Sequence, residues 1–378
     1  MKVFVLFLVV IFFFVGCKNE KKGNIKYDFK TIKVSFSTTK EAVLSTDIID
    51  SIQYIKLEDT KEPIGEIKKI LVDDNKIIIW DNSRKNIWVF SDKGKFIGRI
   101  AKLGREPEEY ASIINFSFTA PNKIHIIDGW SQAIKTYSTT GEFISKEETE
   151  GIPCDYLDCK NLKYYYIYTN ENNLGHRYRL NIKDSANTTT VFFDYTKPSL
   201  FAGLGGDFIL KSKNKLYLRQ PYNDTIFCLN NKELIARYVF DFGKNSYPSK
   251  DIYLAKDMAT FKKIISKKAY EGNISDVIIS KKYIVLKYYQ QIKNDETKTS
   301  ILIYNTQTNQ ISTYHYLLKG AAETMVTYPM ATDGEYFYYP CNSADLPEQV
   351  IKRYKEQGRH SNYDENSNPT IIRYKYKL

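Results

Sequence analysis

The chain is poor in the residues on which most catalytic and metal sites are built. Among 378 residues there are only 4 His, 5 Cys, 4 Met and 3 Trp. His125, His176, His315 and His360 stand far apart, and no Cys/His spacing fits a zinc site. Spacing yields no Ser/His/Asp or Glu-x-x-His constellation either, so no catalytic residue and no metal ligand is assigned. Basic residues outnumber acidic ones, 55 to 44, for a formal charge of +11, yet there is no run of five or six lysines. Lys spread over turns and strand edges makes a solvated surface, and nucleic acid is not an expected partner. Long hydrophobic runs are also scarce. The one present, residues 3–15, has 13 residues, short of the ~20 a membrane-spanning helix needs.

That run follows a single Lys and ends at Gly16 and Cys17, which is the layout of a signal-peptide apolar region. Val15-Gly16-Cys17 resembles the lipobox of bacterial lipoproteins. The resemblance implies removal of residues 1–16, diacylation of Cys17 and attachment to the membrane through that lipid. Lys18, standing where Asp would imply inner-membrane retention, implies the outer membrane, with periplasmic and surface-exposed orientations both open. Residues 17–30 are polar and Lys-rich and read as a flexible tether. The folded part is then 31–378, expected as a monomer.

Four cysteines remain: Cys154, Cys159, Cys228 and Cys341. On a straight strand Cys154 and Cys159 would lie ~16 Å apart on opposite faces, beyond the ~7 Å reach of a disulfide. A bridge between them requires a turn at 155–158; four free thiols are the other reading.

The richest signal is repetition. KIIIWDNSRKNIWVFSDKGKFIGRI (76–100) aligns without gaps on KIHIIDGWSQAIKTYSTTGEFISKE (123–147), at an offset of 47 residues. Lys76 meets Lys123, Asp81 meets Asp128, Gly94 meets Gly141 and Phe96 meets Phe143. A period of this length marks a repeat architecture in which each copy is one small sheet. Each copy reads as four short strands: 66–73, 76–81, 86–91 and 95–100 in the first, and 112–120, 123–128, 133–138 and 142–147 in the second. Weaker copies follow over 154–195, 207–242 and 273–316. The last has three strands, at 325–332, 335–340 and 370–378, and the segment 51–58 supplies a fourth. The expectation is an all-β, six-bladed β-propeller, closed by pairing of an N-terminal strand with the C-terminal blade.

The order KIIIWD…IWVFSDKGKFIGRI…GREPEEY resembles the six-bladed β-propeller lipoproteins of Bacteroides-type bacteria, relatives of the NHL-repeat propellers. The resemblance covers about residues 50–378. GREPEEY (104–110) departs from the family at Glu106 and Glu108, where Gly is more usual. The resemblance implies the fold and carries no activity.

In a propeller, the connections from second to third strand and from one blade to the next share one face. Every long insertion falls there: 104–110, 197–206, 243–272, 290–298 and 341–368. Two of these have helical patterns, one with Ser249 as N-cap and one with Pro347 early and Gly358 as a stop. Long loops on a rigid scaffold carry function, so this face is the expected binding face. Its candidates are Arg105, Glu108, Tyr110, Trp130 and Tyr222. Trp130 and Tyr222 would stack on sugars or proteins if exposed, with packing between blades as the other reading. Arg105 and Glu108, flanking Pro107, either line the channel mouth or hold the connection in shape. Asp81 and Asp128 are expected to cap turns rather than to bind calcium. Two readings result. One is a binding module for a glycan, peptide or envelope protein, without cofactor. The other is a lactonase-like hydrolase or lyase with a divalent metal such as calcium in the channel. Three or more carboxylate or amide groups converging on the channel mouth favour the enzyme, and a plugged or apolar mouth favours the module.

Overall fold

The computed structural model describes residues 20–35, 39–149, 151–167, 178–194, 207–255, 257–291, 297–318, 328–342, 346–356 and 367–378. Cys17, His176, His360, Gly358 and the segment 197–206 lie outside the described residues. Six sheets form a ring: their innermost strands touch in sequence order, and the sixth touches the first. Blade one is Ile67–Asp73, Lys76–Asp81, Asn86–Ser91 and Phe96–Ile100. Blade two is Asn115–Thr119, Lys123–Asp128, Ala133–Ser138 and Phe143–Glu148.

The middle strands read as continuous apolar runs because both of their faces are covered by neighbouring blades. In KIIIWD, Ile77, Ile78 and Ile79 are all fully buried. Ile77 and Ile79 pack with Ile55, Tyr338 and Ile371 on the blade-six side. Ile78 and Trp80 pack with Phe116, Phe118 and Ile124 of blade two. The core is therefore a set of wedges between blades, each filled from both sides.

Repetition at Gly94 and Gly141 has a steric cause. Both have positive φ, +82° and +95°, in the turn before the outer strand. A Cβ on Gly94 would stand 2.1 Å from the carbonyl oxygen of Lys56, and one on Gly141 would stand 2.3 Å from that of Arg99. Each glycine thus lets a hairpin tip press onto the outer strand of the preceding blade.

The N-terminal region departs from the expected tether. From Glu20 onward it is a belt of outer strands. Strand β1 (Glu20–Lys22) pairs in parallel with the last strand of blade three, Thr189–Asp194. Strand β2 (Ile25–Lys33) pairs likewise with Glu233–Asp241 of blade four, and β3 (Lys40–Leu44) with Ile311–Leu318 of blade five. After a short helix α1 (Ser45–Ile48), strand β4 (Ile49–Lys56) pairs antiparallel with Thr370–Tyr376. Lys56 lies opposite Thr370 and Ile49 opposite Tyr376, so the expected closure is formed. The belt covers three outer edges that would otherwise expose unpaired backbone groups.

The strand ends confirm the asymmetry of the two faces. Turns such as 73–76, 138–143 and 212–215 on one face are short, and the long connections all leave from the other. That face carries helices α2 (Ser249–Tyr253), α3 (Met258–Ile265) and α4 (Glu348–Glu356). Ser249 is not an N-cap: Pro248 holds that position, and Ser249 Oγ donates to the Tyr222 carbonyl. Asp257 caps α3 by accepting from Thr260 N. Among the described residues, Cys154, Cys159, Cys228 and Cys341 form no disulfide. Cys154 and Cys159 occupy one strand, Pro153–Cys159, with no turn to bring them together.

Candidate functional site

The insertion-bearing face brings together two of the five expected residues. The Arg105 guanidinium lies 5.0 Å from the centre of the Trp130 ring, a cation–π pair. Trp130 is 56% exposed, and the exposed Ile114 lies near Gly129 of the same connection. The turn beneath it is fixed by Asp128. One carboxylate oxygen of Asp128 accepts from Ser112 N at 3.0 Å, Ser112 Oγ at 3.0 Å and Trp130 N at 3.3 Å. The other accepts from Ser131 Oγ at 2.6 Å. Burial works to raise the Asp128 pKa, but these hydrogen bonds outweigh it and hold the carboxyl below its usual range. Asp81 acts in the same way in blade one, accepting from Gly65 N, Ser83 Oγ and Arg84 N. Both aspartates are therefore turn caps, as expected.

Glu108 is exposed, 3.6 Å from Lys102. Neither it nor Arg105 is among the side chains around the channel cavity. Tyr110 and Tyr222 are buried, which corrects their placement on a binding surface. Tyr110 fills the wedge between blades one and two, its hydroxyl donating to the carbonyls of Lys85 at 2.6 Å and Ile100 at 3.2 Å. Tyr222 lies under the helical insertion, against Tyr247 and Phe261. Both rings serve packing, each large side chain filling an irregular gap between neighbouring elements.

The channel holds a cluster that the loops and histidines did not announce. Lys69, in the first strand of blade one, reaches Asp207 at 2.6 Å and Asn115 Oδ1 at 2.8 Å. Asn115 Nδ2 lies 3.3 Å from Asp155 Oδ1 and 3.2 Å from Asp207 Oδ1. Asp155 accepts further bonds from the backbone of Phe208 and Ile209, both at 2.8 Å, and of Tyr156 at 2.9 Å. Arg219 donates to the Asp207 carbonyl at 2.7 Å and covers the Phe208 ring. Burial, then the Asp207 charge, pushes Asp155 up against the pull of Lys69. Burial likewise pushes Asp276, in blade five, up to about 6.

Lys69, Asn115, Asp155 and Asp207 sit near the starts of the first strands, which is the channel end on the insertion-bearing face. Four residues further along, Lys211 of blade four pairs with Asp73 of blade one. Blades one and four are opposite in the ring, so both Lys69–Asp207 and Lys211–Asp73 cross it, with donor and acceptor exchanged. Four residues of strand separate the two pairs by about 13 Å. Around the two pairs lies a cavity of about 520 Å³ whose walls mix apolar residues such as Leu71, Val72 and Leu210 with charged ones such as Asp74, Lys213 and Glu335 at the short turns. Sequence reading searched the loops and missed this network. Its signal was a polar residue placed near the start of successive first strands, at Lys69, Asn115, Asp155 and Asp207.

Among the described residues, no three His, Cys, Asp or Glu side chains stand together so as to hold a metal ion. The oxygens of Asn115 and Asp207 that would face a cation in the channel are taken by the Lys69 ammonium. His125 and His315 lie in a second and an outer strand, away from the channel.

An exported protein from Bacteroides fragilis shares the fold, with a TM-score of 0.66 at 16% identity, covering 92% of this chain and 100% of that one. A DUF4221 member from Bacteroides vulgatus aligns at 0.49 and 8% identity, over 87% of this chain and 97% of that one. A streptogramin B lyase aligns at 0.41 and 12% identity, over 86% and 98%. None of the curated proteins compared matches the chain. Residues 29–375 match the domain of unknown function DUF4934, and the chain belongs to that family.

Proposed function

We propose that the protein is a lipoprotein of the bacterial outer membrane, anchored through Cys17, that works as a binding module through its insertion-bearing face. Its ligand is a peptide, envelope protein or glycan that engages Trp130. The observation that carries this reading is the exposed Trp130, held rigid by Asp128 below and Arg105 above. A fixed aromatic with Ile114 near its turn offers contact area at small entropic cost, as binding hot spots do. The description of the Bacteroides fragilis neighbour as an exported protein is in keeping with an envelope address.

The channel cluster favours a second reading, a lactonase-like hydrolase or lyase with a divalent metal, because Asn115, Asp155 and Asp207 converge as an enzyme would require. Against it, their hydrogen-bonding capacity is already used by Lys69 and by backbone amides. A strut that ties blades one to four together has these same bonds. Parallel glycan-array and envelope pull-down screens with the acylated full chain and with Trp130→Ala discriminate the readings. Loss of a hot-spot aromatic is expected to weaken a retained ligand by about 30-fold or more. A ligand indifferent to Trp130, or stoichiometric calcium accompanied by lactone turnover, overturns the module.

A further inference from the structure

The belt changes how the molecule must sit on its membrane. Cys17 is three residues from Glu20, where β1 begins its pairing with Thr189 of blade three. Three residues of extended chain span at most about 11 Å. A lipid on Cys17 therefore holds the rim of blade three within that distance of the headgroups. A 14-residue tether over 17–30 would have left the ring free to turn, but the belt removes that freedom.

The surface next to that point has the chemistry of an interface. Tyr27 and Phe29 on β2 are 73% and 51% exposed, the former the most exposed large hydrophobic residue among those described. They border an open groove of about 530 Å³ with Phe193, Phe227 and Leu254. Around them Lys21, Lys22, Lys26, Lys30 and Lys33 are exposed. Lys22 and Lys26 also pair with Asp194 and Glu233, and Asp28 pairs with Arg237, whereas Lys21 and Lys33 have no ion pair among the described residues. Aromatic rings among lysines match the region between acyl chains and anionic headgroups.

We propose that the rim built by β1 and β2 over blades three and four lies against an anionic bilayer, with the ring standing on edge. The proposal rests on the lipid anchor at Cys17. It places blades six and one farthest from the membrane, with blade two and its Trp130 on the flank of the ring.

The test uses the full chain, purified with its lipid and reconstituted into vesicles of phosphatidylethanolamine and phosphatidylglycerol that contain a headgroup-diazirine lipid. After irradiation, crosslinked peptides and the N-terminal peptide are identified by mass spectrometry. The expected result is an acylated Cys17 with crosslinks concentrated on residues 20–33, reduced severalfold in Tyr27→Ser/Phe29→Ser. Both side chains are exposed, so this variant keeps its fold. Acylated protein crosslinked chiefly through blades six and one, through the short turns alone, or not at all overturns the orientation and leaves the anchor standing. A Cys17 without acyl mass overturns the anchor itself, and the orientation with it.

Discussion

The imidazole of His125 sits between two threonine hydroxyls, Thr136 Oγ1 at 3.0 Å from Nδ1 and Thr119 Oγ1 at 3.1 Å from Nε2. Thr119 spends its own proton on the Asp158 carbonyl, at 2.6 Å, so Nε2 must carry hydrogen and Nδ1 must accept from Thr136. Burial, with Lys123 and Lys163 nearby, pushes the His125 pKa down to about 4. The unfolded chain, with a value near 6.5, then takes up a proton first as pH falls. His125 therefore contributes stability above about pH 6.5 and loses it as pH falls through 4, an effect on the order of 3 kcal/mol. His125→Asn is expected to shrink the loss of stability between pH 7 and pH 4.5, measured by urea unfolding at both. An unchanged difference between variant and wild type would show that the ring is not held neutral. Sequence spacing placed His125 correctly on a second strand. It was silent on the hydroxyl pair, because Thr119 and Thr136 are distant in sequence and meet only through strand register. The same limit explains Tyr110 and Tyr222: their place in a connection was legible, but whether a ring turns inward depends on the gap that neighbouring blades leave.

At the level of elements, the blades were legible because each repeats one pattern of apolar runs and turn residues. Strand bounds in blades one and two fall within a few residues of expectation. The belt was not legible. Residues 25–30 alternate apolar and polar side chains, but they stand in a Lys-rich stretch that resembles a linker, and the alternating rings Tyr27 and Phe29 stay exposed. Pairing with an existing sheet edge, not burial of its own apolar face, makes Ile25–Lys33 a strand. The aligned glycines offer a test of how hairpins dock. Gly141→Ala is expected to cost at least about 2 kcal/mol, from strain at positive φ and from collision with the Arg99 carbonyl. Gly243 also has positive φ, +64°, but nothing lies within 4 Å of its hypothetical Cβ, so Gly243→Ala carries the conformational cost alone, about 1 kcal/mol. Denaturant midpoints of the two variants separate the contributions. Equal losses would mean that the approach of hairpin to outer strand is not what the glycine serves.

Across the whole molecule, closure is achieved twice, once at the seam and once through the channel. At the seam β4 joins Thr370–Tyr376, and Asn368 reinforces the join: its amide donates to the Glu58 carbonyl at 2.7 Å and accepts from Ile64 N at 2.8 Å. Inside, Lys69–Asp207 and Lys211–Asp73 link opposite blades. The two bridges differ in shielding on the ammonium side, the Lys69 side chain being 13% exposed and that of Lys211 29%, while Asp207 and Asp73 are alike at 30% and 32%. Water screens the outer pair, so its loss is expected to cost at most about 1 kcal/mol. The inner pair belongs to a network, and removing one partner leaves a poorly solvated charge, at about 3 kcal/mol. A double-mutant cycle on Lys69→Met and Asp207→Asn, followed by urea unfolding, measures this. Each single change should be strongly destabilising, and the double variant much less so than their sum, because no charge is then left without its partner. Simple additivity would mean that the two side chains are independent and that the channel is not braced across its diameter. The same variants bear on the channel's chemistry. Lys69→Met frees oxygens of Asn115 and Asp207, so calcium retained by this variant but not by the wild type would identify the ammonium as the group that keeps a divalent ion out.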